Sequence, residues 1–390
     1  MRTQVAIVGA GPAGLVLAHL LARDGVESVV LESRGRGYVE RRIRAGVLEQ
    51  GTVDLLHELG LDERLRREGM IHRGIELRFD GEHHRIPLSD LTGGRAITVY
   101  GQQEVVKDLI QARLDAGGDI IFEAEALSVE RPNASEPLVR FRHDGQVHEL
   151  ECDFVAGCDG SHGVCREAIP TDILSIYQKD YPVAWLGILA EVAPSTEELI
   201  YAYHERGFAL HSMRTPQLSR LYLQCRPDEQ LEEWSDQRIW DELQTRFALD
   251  GWALSEGPII DRSITPMRSV IHEPIQYGRL FLAGDAAHIV PATGAKGLNL
   301  AVADVKILAE ALVRWYRSGS SAGLESYSSR CLRRVWRVEH FSWWMTSLVH
   351  RFDDDGPFEH RLRLSQLRYV CGSTAAATSL AENYVGFEMD

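Results

Sequence analysis

The sequence predicts an α/β protein in which a discontinuous, Rossmann-like nucleotide-binding domain is interrupted by a mainly antiparallel β domain and followed by a helical C-terminal part. Three observations predict this arrangement. They are a glycine-rich turn between a strand and a helix near the N-terminus, a period-two alternation that begins near Tyr181, and a buried strand at 280–283 ahead of a mostly helical end. The predicted domain boundaries are 1–178, 179–268 and 269–390.

The N-terminal strand, turn and helix form the first half of a nucleotide-binding unit. Residues 4–8 are a short apolar run typical of a strand buried on both faces, and a helix is predicted over 12–23. The glycines of the intervening G-x-G-x-x-G turn are Gly9, Gly11 and Gly14. They permit a tight turn, close approach of a pyrophosphate and close helix–strand packing. The next strand, 27–31, ends at Glu32, where an acid would bind ribose hydroxyls. The alternative is a glycine-rich turn without a ligand, but the complete unit favours a dinucleotide.

Two later segments indicate that the dinucleotide is FAD, so the first domain is predicted to be an FAD-binding domain. Residues 158–160, Cys-Asp-Gly, follow a predicted strand at 153–157. The strand at 280–283 leads to Asp285, whose carboxylate can accept hydrogen bonds from ribityl or ribose hydroxyls. A helix that begins near Gly297 would direct its N-terminal amides at the electron-rich ring of a reduced flavin. The alternative role of Asp285 is an ordinary helix cap. Two further helices are predicted, over 46–60 and 102–116.

The inserted β domain carries the clue to the substrate. Its alternation predicts strands over 188–192, 198–204, 208–214 and 219–225. Ser212 and Arg214 share one face of the third strand, and Arg220 and Tyr222 share one face of the fourth. If the register brings these faces together, two arginines and two hydroxyls converge, and the planar guanidinium matches a carboxylate. We expect a pocket for an organic acid. The alternative is a solvated polar face with surface arginines.

Three further residues could move a proton near a phenolic substrate. Tyr201 precedes the hairpin and Tyr384 lies near the C-terminus, and a tyrosine pair can pass a proton through hydrogen bonds. His72 could carry it on to solvent, since histidine titrates near neutral pH. The alternatives are aromatic core packing for the tyrosines and a surface position for His72.

Composition restricts the class of partner. The net charge of −15 argues against nucleic acid, although a local basic pocket can still bind an anionic substrate. Glycines and Pro12 interrupt the apolar N-terminal stretch, so we expect neither a signal peptide nor a membrane span. The six cysteines have no zinc-like spacing, so no metal site is expected, and they suggest reduced thiols in the cytoplasm.

Two segments remain ambiguous from pattern alone. Residues 34–44 carry five arginines and Tyr38, and they form either a solvated basic loop or a surface that recognises the phosphates of FAD or of a second nucleotide. No second G-x-G-x-x-G unit is present for a nicotinamide nucleotide. The aromatic helix 341–346 is expected to be core or a contact between the subunits of a homodimer.

The chain resembles the para-hydroxybenzoate hydroxylase family of single-component (group A) FAD-dependent aromatic hydroxylases. The resemblance runs essentially from end to end. Its most specific stretches are Ile43-Arg-Ala-Gly-Val-Leu-Glu-Gln-Gly51, Val99-Tyr-Gly-Gln102, Ala156-Gly-Cys-Asp-Gly160, residues 280–300, Phe341-Ser-Trp-Trp-Met-Thr346 and Ala381-Glu-Asn-Tyr-Val-Gly386. The hairpin with Ser212, Arg214, Arg220 and Tyr222 is a narrower mark than the FAD signature, which many flavin hydroxylases share.

The resemblance implies roles for individual residues. The residues implied for the substrate are Ser212, Arg214 and Tyr222 at its carboxylate, Tyr201 at its phenol, Ala292 through its backbone carbonyl, and Tyr384 and then His72 along the proton path to solvent. Those implied for FAD are Gly9, Gly11, Gly14, Glu32, Arg42, Arg44, Val47, Gln102, Asp159, Arg220, Asp285, Lys296, Leu298 and Asn299. Those implied for the nicotinamide nucleotide are Tyr38, Arg42, Arg44, His162, Arg166 and Arg268. Ala292 departs from the proline that is usual in the family.

The resemblance also implies an activity. The expected reaction is hydroxylation of 4-hydroxybenzoate to 3,4-dihydroxybenzoate by a flavin C4a-hydroperoxide, with FAD as cofactor, NADPH as electron donor and O2 as co-substrate. NADH is the alternative donor. The alternative functions are the same chemistry on an aminobenzoate or a dihydroxybenzoate, and a non-catalytic binding protein with an FAD fold. The intact glycines and acids of the motifs disfavour the last of these.

Overall fold

The computed structural model describes residues 1–42 and 46–388. Within these ranges the strands are β1 (Arg2–Val8), β2 (Ser28–Glu32), β3 (Val47–Leu48), β4 (Met70–His72), β5 (Ile75–Phe79), β6 (Glu82–Ile86), β7 (Ile97–Val99), β8 (Asp119–Phe122), β9 (Glu125–Glu130), β10 (Leu138–His143), β11 (Gln146–Gly157), β12 (Ser175–Ala190), β13 (Leu199–Ala202), β14 (Ala209–Thr215), β15 (Leu218–Cys225), β16 (Ile259–Glu273), β17 (Gln276–Tyr277), β18 (Leu280–Leu282) and β19 (His288–Ile289).

The helices of the same ranges are concentrated at the two ends of the chain. They are α1 (Pro12–Arg23), α2 (Arg36–Arg41), α3 (Gln50–Glu58), α4 (Glu63–Glu68), α5 (Leu88–Leu91), α6 (Gln102–Asp115), α7 (Asp236–Arg246), α8 (Gly297–Ser318), α9 (Ala322–Glu325), α10 (Tyr327–Val349), α11 (Pro357–Gly372) and α12 (Thr374–Val385). Among the described residues, no helix has both the length and the apolar character that crossing a membrane requires.

The first sheet is the Rossmann-like one. Its path runs β17-β18-β11-β1-β2-β8, with β10 and β9 added beside β11. Strands β18, β11, β1, β2 and β8 are mutually parallel along this path. Its apolar strands, with Ile7, Val30 and Val155 fully buried, form one core with α1 and α8. A parallel strand buried on both faces explains why the sequence here reads as continuous apolar runs.

The second sheet is mainly antiparallel and holds the predicted hairpin. Its order is β19-β16-β12-β15-β14-β13-β5-β6, and only the β13–β5 pair is parallel. Strands β5 and β6 come from the N-terminal part of the chain, so the two parts of the protein are interleaved in sequence. A third, small sheet joins β3, β7 and β4.

The predicted fold class is confirmed, with one local correction. The helix predicted over 46–60 begins only at Gln50, because Val47 and Leu48 instead pair with Val99 and Thr98 of β7. Glu49 caps this helix in an extended conformation. The apolar Val47–Leu48 pair fits a two-residue strand as well as a helix, which periodicity over so short a run cannot distinguish.

Candidate active site

Three sequence segments meet at one edge of the first sheet. Val8 lies opposite Gly157, and Gly157 lies opposite Leu282, so the carboxyl ends of β1, β11 and β18 are level. The glycine-rich turn, the 158–160 segment and the 284–288 turn each follow one of these ends. In open α/β sheets this edge is where nucleotides bind.

The glycines of the first turn are needed for different reasons. Gly9 has a φ of +107°, and a Cβ there would lie 2.3 Å from the carbonyl oxygen of Cys158. A Cβ on Gly14 would lie 2.0 Å from the carbonyl oxygen of Gly9. At Gly11 a Cβ would have no neighbour within 4 Å, so open space adjoins the N-terminus of α1. This arrangement fits a pyrophosphate, which needs both the space and the free amides.

The acids of the three segments surround the same edge. Glu32 accepts hydrogen bonds from the backbone of Ala10 at 2.9 Å and of Arg34 at 2.8 Å. Asp159 is bound by the amide of Cys165 at 2.9 Å, while its other carboxylate oxygen is buried without a hydrogen-bond partner among the described residues. Burial raises the pKa of Asp159. Asp285 is exposed on its turn. The residues present therefore fit a dinucleotide cofactor.

The hairpin brings the predicted polar face together. In the register of β14 and β15, Ser212 pairs with Arg220 and Leu210 pairs with Tyr222. Paired residues of an antiparallel ladder point to the same face. Ser212, Arg214 and Arg220 are buried, so the alternative of a solvated polar face is wrong.

Two arginines of the hairpin, Arg214 and Arg220, place positive charge next to the side chain of Tyr222. Burial alone would raise the pKa of Tyr222, but Arg214 and Arg220 outweigh it and hold that pKa below its ordinary value. The Arg220 guanidinium carbon lies 5.1 Å from the centre of the Tyr222 ring. Burial also lowers the pKa of Arg214, although a guanidinium remains charged at any physiological pH. Arg220 has an acidic neighbour, with 3.5 Å between its nitrogen and the Asp261 carboxylate. This group of positively charged side chains suits an anionic ligand.

The two predicted relay tyrosines are in direct contact. The hydroxyls of Tyr201 and Tyr384 lie 2.6 Å apart, and both side chains are buried. Burial raises the pKa of Tyr201 to about 12, against the opposing effect of hydrogen bonds with Tyr384 and the backbone of Gly294. Burial also raises the pKa of Tyr384 well above its ordinary value. Both hydroxyls therefore stay protonated near neutral pH and can accept a proton only while passing one on.

His72 differs from the expectation of a solvent-exposed position. It is 1% exposed, because β4 pairs with the interior strand β7, where His72 lies opposite Ile97. Neither ring nitrogen has a hydrogen-bond partner among the described residues. Burial lowers the pKa of His72 to about 4. The imidazole is therefore neutral at pH 7, and its place in a proton path stays a prediction.

Lys296 and Asn299 fasten the start of α8 to the chain around β3. The Lys296 ammonium donates to Glu49 at 2.7 Å and to the Tyr384 carbonyl at 2.8 Å. Asn299 accepts from the Glu49 amide at 2.9 Å and donates to the Val47 carbonyl at 3.0 Å. Burial lowers the pKa of Lys296, and Glu49 opposes that shift. A buried cation thus lies beside the relay tyrosine.

The remaining predicted cofactor residues lie along these elements. Gln102 is at the first turn of α6, Leu298 is in the first turn of α8 and both are partly buried. Ala292 is exposed on the turn before Lys296. Arg42 is exposed beyond α2. Arg44 lies outside the described residues.

The residues predicted for the nicotinamide nucleotide are spread over several elements. Tyr38 is 51% exposed, on α2. His162 is exposed, and its Nδ1 lies 2.9 Å from the Ser161 hydroxyl. Arg166 donates to the Ser161 carbonyl at 3.1 Å and to the Ala286 carbonyl at 3.3 Å. Arg166 therefore ties the second cofactor segment to the third. Arg268 is partly buried on β16, opposite Asp180.

Sequence reasoning missed several partners within the site. Glu49 was not singled out as the counter-charge of Lys296, although a buried lysine requires one. The Asp304 carboxylate accepts from the Gly284 amide at 3.0 Å and lies 2.6 Å from the His288 imidazole, so it holds the turn that carries Asp285. Asp304 falls on the buried face of α8, where an apolar residue would be normal. An acid inside an apolar helical stripe was the available signal.

Comparison with known proteins identifies the family. A family model described as FAD binding domain matches residues 2–342. The p-hydroxybenzoate hydroxylase of Acinetobacter baylyi is 50% identical over 387 residues, which cover 99% of this chain and 96% of that protein. The chain belongs to the FAD-dependent aromatic hydroxylases. It is accordingly an FAD-dependent monooxygenase by family.

More remote similarities extend to proteins with other names. Dialkyldecalin synthase of Streptomyces rugosporus is 28% identical over 310 residues, which cover 78% of this chain and 64% of that protein. Among solved structures, p-nitrophenol 4-monooxygenase from Pseudomonas putida superposes with a TM-score of 0.84 at 19% identity, covering 99% of both chains. The Diels-Alderase of pyrroindomycin biosynthesis gives a TM-score of 0.79 at 22% identity, covering 99% of this chain and 81% of that one. At these identities the structural likeness shows the fold alone.

Proposed function

We propose that this protein hydroxylates 4-hydroxybenzoate beside its phenol to give 3,4-dihydroxybenzoate, using NAD(P)H and O2. The observation that carries the proposal is a single sheet face. It presents the buried Ser212 and Arg214 and the partly buried Tyr222 together with Tyr201, whose hydroxyl is 2.6 Å from that of Tyr384. A carboxylate anchor and a phenol partner are the two recognition elements that this substrate needs. The 50% identical relative named p-hydroxybenzoate hydroxylase supports the same conclusion.

The proposed carboxylate anchor works by charge and by shape. Arg214 supplies a buried planar guanidinium, and a charge-assisted bidentate contact away from water is stronger than it would be in water. Ser212 adds a hydroxyl donor, and Tyr222 adds another at the same end of the hairpin. We expect Arg220 to contribute positive charge rather than a direct contact, since it already has Asp261 as a neighbour.

The proposed proton path begins at Tyr201. Removing the phenolic proton makes the neighbouring ring carbon more nucleophilic, which favours attack on an electrophilic oxygen. Tyr201 would accept that proton while donating its own to Tyr384, so no free tyrosinate is required. His72 is the further acceptor in this proposal. At pH 7 the neutral imidazole has one lone pair, and no residue within 1–42 or 46–388 hydrogen-bonds either ring nitrogen.

The proposed cofactor site uses the three convergent segments. Residues that would hold FAD are Gly9, Gly11, Gly14, Glu32, Arg42, Arg44, Gln102, Asp159 and Asp285 around its phosphates, ribose and ribityl chain, and Val47, Arg220, Lys296, Leu298 and Asn299 around its ring. When bound, FAD supplies the redox chemistry, taking a hydride from the nicotinamide and activating O2. The chain's own residues position the ring of the substrate and exclude water from it.

We further propose that the donor is NADPH. Tyr38 and Arg42 lie at the exposed surface of the α2 region, and a guanidinium there matches a 2′-phosphate. Arg44, His162, Arg166 and Arg268 complete the proposed nucleotide site. No second glycine-rich nucleotide-binding motif occurs in the sequence, so the nucleotide would bind in a groove and leave after each reduction.

The assembly and location are also proposals. A homodimer is supported by an exposed apolar stripe on α11, formed by Phe358, Leu362 and Tyr369. A cytoplasmic location is supported by the cysteines, all of which are free thiols. The boundaries 1–178, 179–268 and 269–390 stay a prediction for the three domains, with β5 and β6 as the N-terminal contribution to the second sheet.

Anaerobic reduction followed by product analysis tests the proposal. The purified protein is mixed without oxygen with NADPH or NADH, with and without 4-hydroxybenzoate, and bleaching of the flavin is followed. We expect 4-hydroxybenzoate to accelerate reduction, NADPH to be preferred, and 3,4-dihydroxybenzoate to form when oxygen is admitted. A panel of aminobenzoates and dihydroxybenzoates is the control. Product from one of these and none from 4-hydroxybenzoate would overturn the substrate, and a colourless protein would favour the binding-protein alternative.

A further inference from the structure

A buried hydrogen bond joins the substrate sheet to the end of α10. The indole Nε1 of Trp185, on β12, donates to Nε2 of His350 at 2.7 Å, and His350 is fully buried. An indole can only donate, so Nε2 of His350 must carry the lone pair and its proton must be on Nδ1. That Nδ1 lies 3.0 Å from the Thr346 carbonyl and donates to it. Both ring nitrogens of His350 are therefore hydrogen-bonded, and the tautomer protonated on Nδ1 satisfies both contacts.

The neutral form of His350 is maintained by its surroundings. Burial lowers the pKa of His350 to about 3, so the ring does not acquire a second proton near neutral pH. The ring centre of Phe208 lies 4.5 Å away and covers one face of the imidazole. The bond to Trp185 is thus a fixed structural contact with a defined direction.

The indole on the other side of this bond lies behind the proposed carboxylate pocket. Trp185 is opposite Gln224 in the β12–β15 ladder, which places it on the same sheet face as Tyr222, two residues earlier on β15. The ring centres of Trp185 and Tyr222 are 4.9 Å apart. Trp185 also stacks on Phe208 at 5.2 Å, and Phe208 contacts the ring of Tyr201 at 5.9 Å. A rotation of the indole would therefore disturb both ends of the site.

The helix that carries His350 contacts the opposite side of the site as well. The hydroxyl of Thr346, one turn before His350, donates to the Ser342 carbonyl at 2.7 Å, and it lies 2.9 Å from the hydroxyl of Thr293, from which it can accept. Thr293 is fully buried and lies between Ala292 and Gly294, in the turn that leads to Lys296. The last turn of α10 is thus bonded to the carboxylate side through His350 and to the cofactor side through Thr346.

We propose that His350 is a positioning residue for the hydroxylation reaction: by holding the Trp185 indole, it fixes the distance between the carboxylate pocket and the turn that carries Thr293. The proposal rests on the proposed function, because it assigns the substrate carboxylate to the Ser212, Arg214 and Tyr222 cluster. His350 touches neither substrate nor cofactor in this scheme. Its effect passes through Trp185.

Conservative variants at both ends of the bond test this role. His350→Phe keeps an aromatic ring against Phe208 but leaves the indole N–H without an acceptor. Trp185→Phe removes the donor and keeps a ring against Tyr222. Each variant leaves one buried polar atom unpaired, the indole N–H in His350→Phe and the His350 Nε2 acceptor in Trp185→Phe, so we expect either variant to raise the dissociation constant of 4-hydroxybenzoate about tenfold. We also expect less dihydroxybenzoate and more hydrogen peroxide for each NADPH consumed, with unchanged FAD affinity.

Two additional proteins separate positioning from general stability. His350→Gln returns an acceptor near the position of Nε2 and should recover substrate affinity and coupling. His211→Phe is the matched control, since His211 is an equally buried imidazole that accepts one hydrogen bond, from the Ser195 amide at 3.2 Å, on the other face of the hairpin. It should lower the melting temperature without changing substrate affinity or product yield. The double variant of Trp185 and His350 should be no worse than the poorer single one.

The outcomes distinguish this inference from the proposed function. A lower melting temperature in His350→Phe with unchanged affinity and product yield would overturn the positioning role. If His350→Phe does not accumulate as folded protein, Trp185→Phe and His350→Gln decide the question by the same two measurements. The proposed function fails separately, if the unaltered protein forms no dihydroxybenzoate or if Arg214→Ala binds 4-hydroxybenzoate normally.

Discussion

The two faces of the hairpin β14–β15 use the same strands for opposite purposes. On one face, Ala209, Leu221 and Leu223 join the helix residues Trp240 and Leu243 in an apolar cluster. On the other face, alternate residues of the same strands bury arginines and hydroxyls, and Tyr201 contacts Tyr384. Burying charge costs free energy unless it is compensated, whereas burying leucine stabilises the fold. The comparison indicates that one face maintains the sheet and the other serves a ligand.

The largest expected effect is on the ligand face, at the relay. Tyr201→Phe should retain flavin reduction by NADPH but lower the rate of hydroxylation by roughly 10²–10⁴-fold, because general acid–base groups contribute about that much. Hydrogen peroxide should replace dihydroxybenzoate as the main product. Single-turnover kinetics and product chromatography measure both quantities. An unchanged product yield would refute the relay and reduce Tyr201 to a packing residue.

The next effect in size concerns the anchor. Arg214→Ala should weaken 4-hydroxybenzoate binding by about 2–5 kcal/mol, since it removes a buried partner of a charge. Equilibrium titration followed by flavin absorbance gives the dissociation constant. A benzamide analogue that lacks the carboxylate is the control, and its weak binding should be almost unaffected. Near-normal affinity for the acid in this variant would show that the ligand face is misassigned.

The opposite face should respond in stability instead of affinity. Leu221 lies between Arg220 and Tyr222 in the sequence, but its side chain is fully buried in the apolar cluster on the opposite face. Leu221→Ala should lower the free energy of unfolding by about 2–5 kcal/mol through lost burial and a residual cavity. Urea denaturation measures this, and substrate affinity should stay within about twofold, well below the effect expected at a ligand-contacting position. A large loss of affinity here would abolish the proposed division between the faces.

The smallest expected effect is the pH dependence of the free energy of unfolding. It arises from a buried imidazole packed on each face of the sheet. Burial lowers the pKa of His211 to about 4 and that of His350 to about 3, below the ordinary 6.5. The unfolded chain therefore binds these protons near pH 6.5 while the folded chain does not, so stability is complete above that pH and falls as pH drops towards 4. Between pH 7 and 5 we expect a loss on the order of 1–2 kcal/mol for each histidine. Urea denaturation at both pH values should show a smaller loss in His211→Phe, and an equal loss would contradict this origin.

The sequence was sufficient to predict which residues form the site, but not which residues contact them from distant segments of the chain. Period-two alternation sufficed to place Ser212 and Arg220 on one face, because register in a short hairpin follows from its turn. Glu49 opposite Lys296 and His350 opposite Trp185 could not be paired in advance, since each contact joins segments more than 150 residues apart. A surface position was the default expectation for His72, whereas the structure buries it on β4, which pairs with β7.

The early position of β5 and β6 in the sequence affects how the chain can fold while it is being synthesised. Strand β5 pairs with β13, which is synthesised about 120 residues later. At about 5–20 residues per second, the emerging segment waits on the order of 10 s for its neighbour. Strand β11 waits similarly for β18, which follows nearly all of the second sheet. A nascent or truncated product that ends before Leu280 would expose an open parallel edge, the kind of surface that leads to aggregation and that a chaperone on the ribosome would cover.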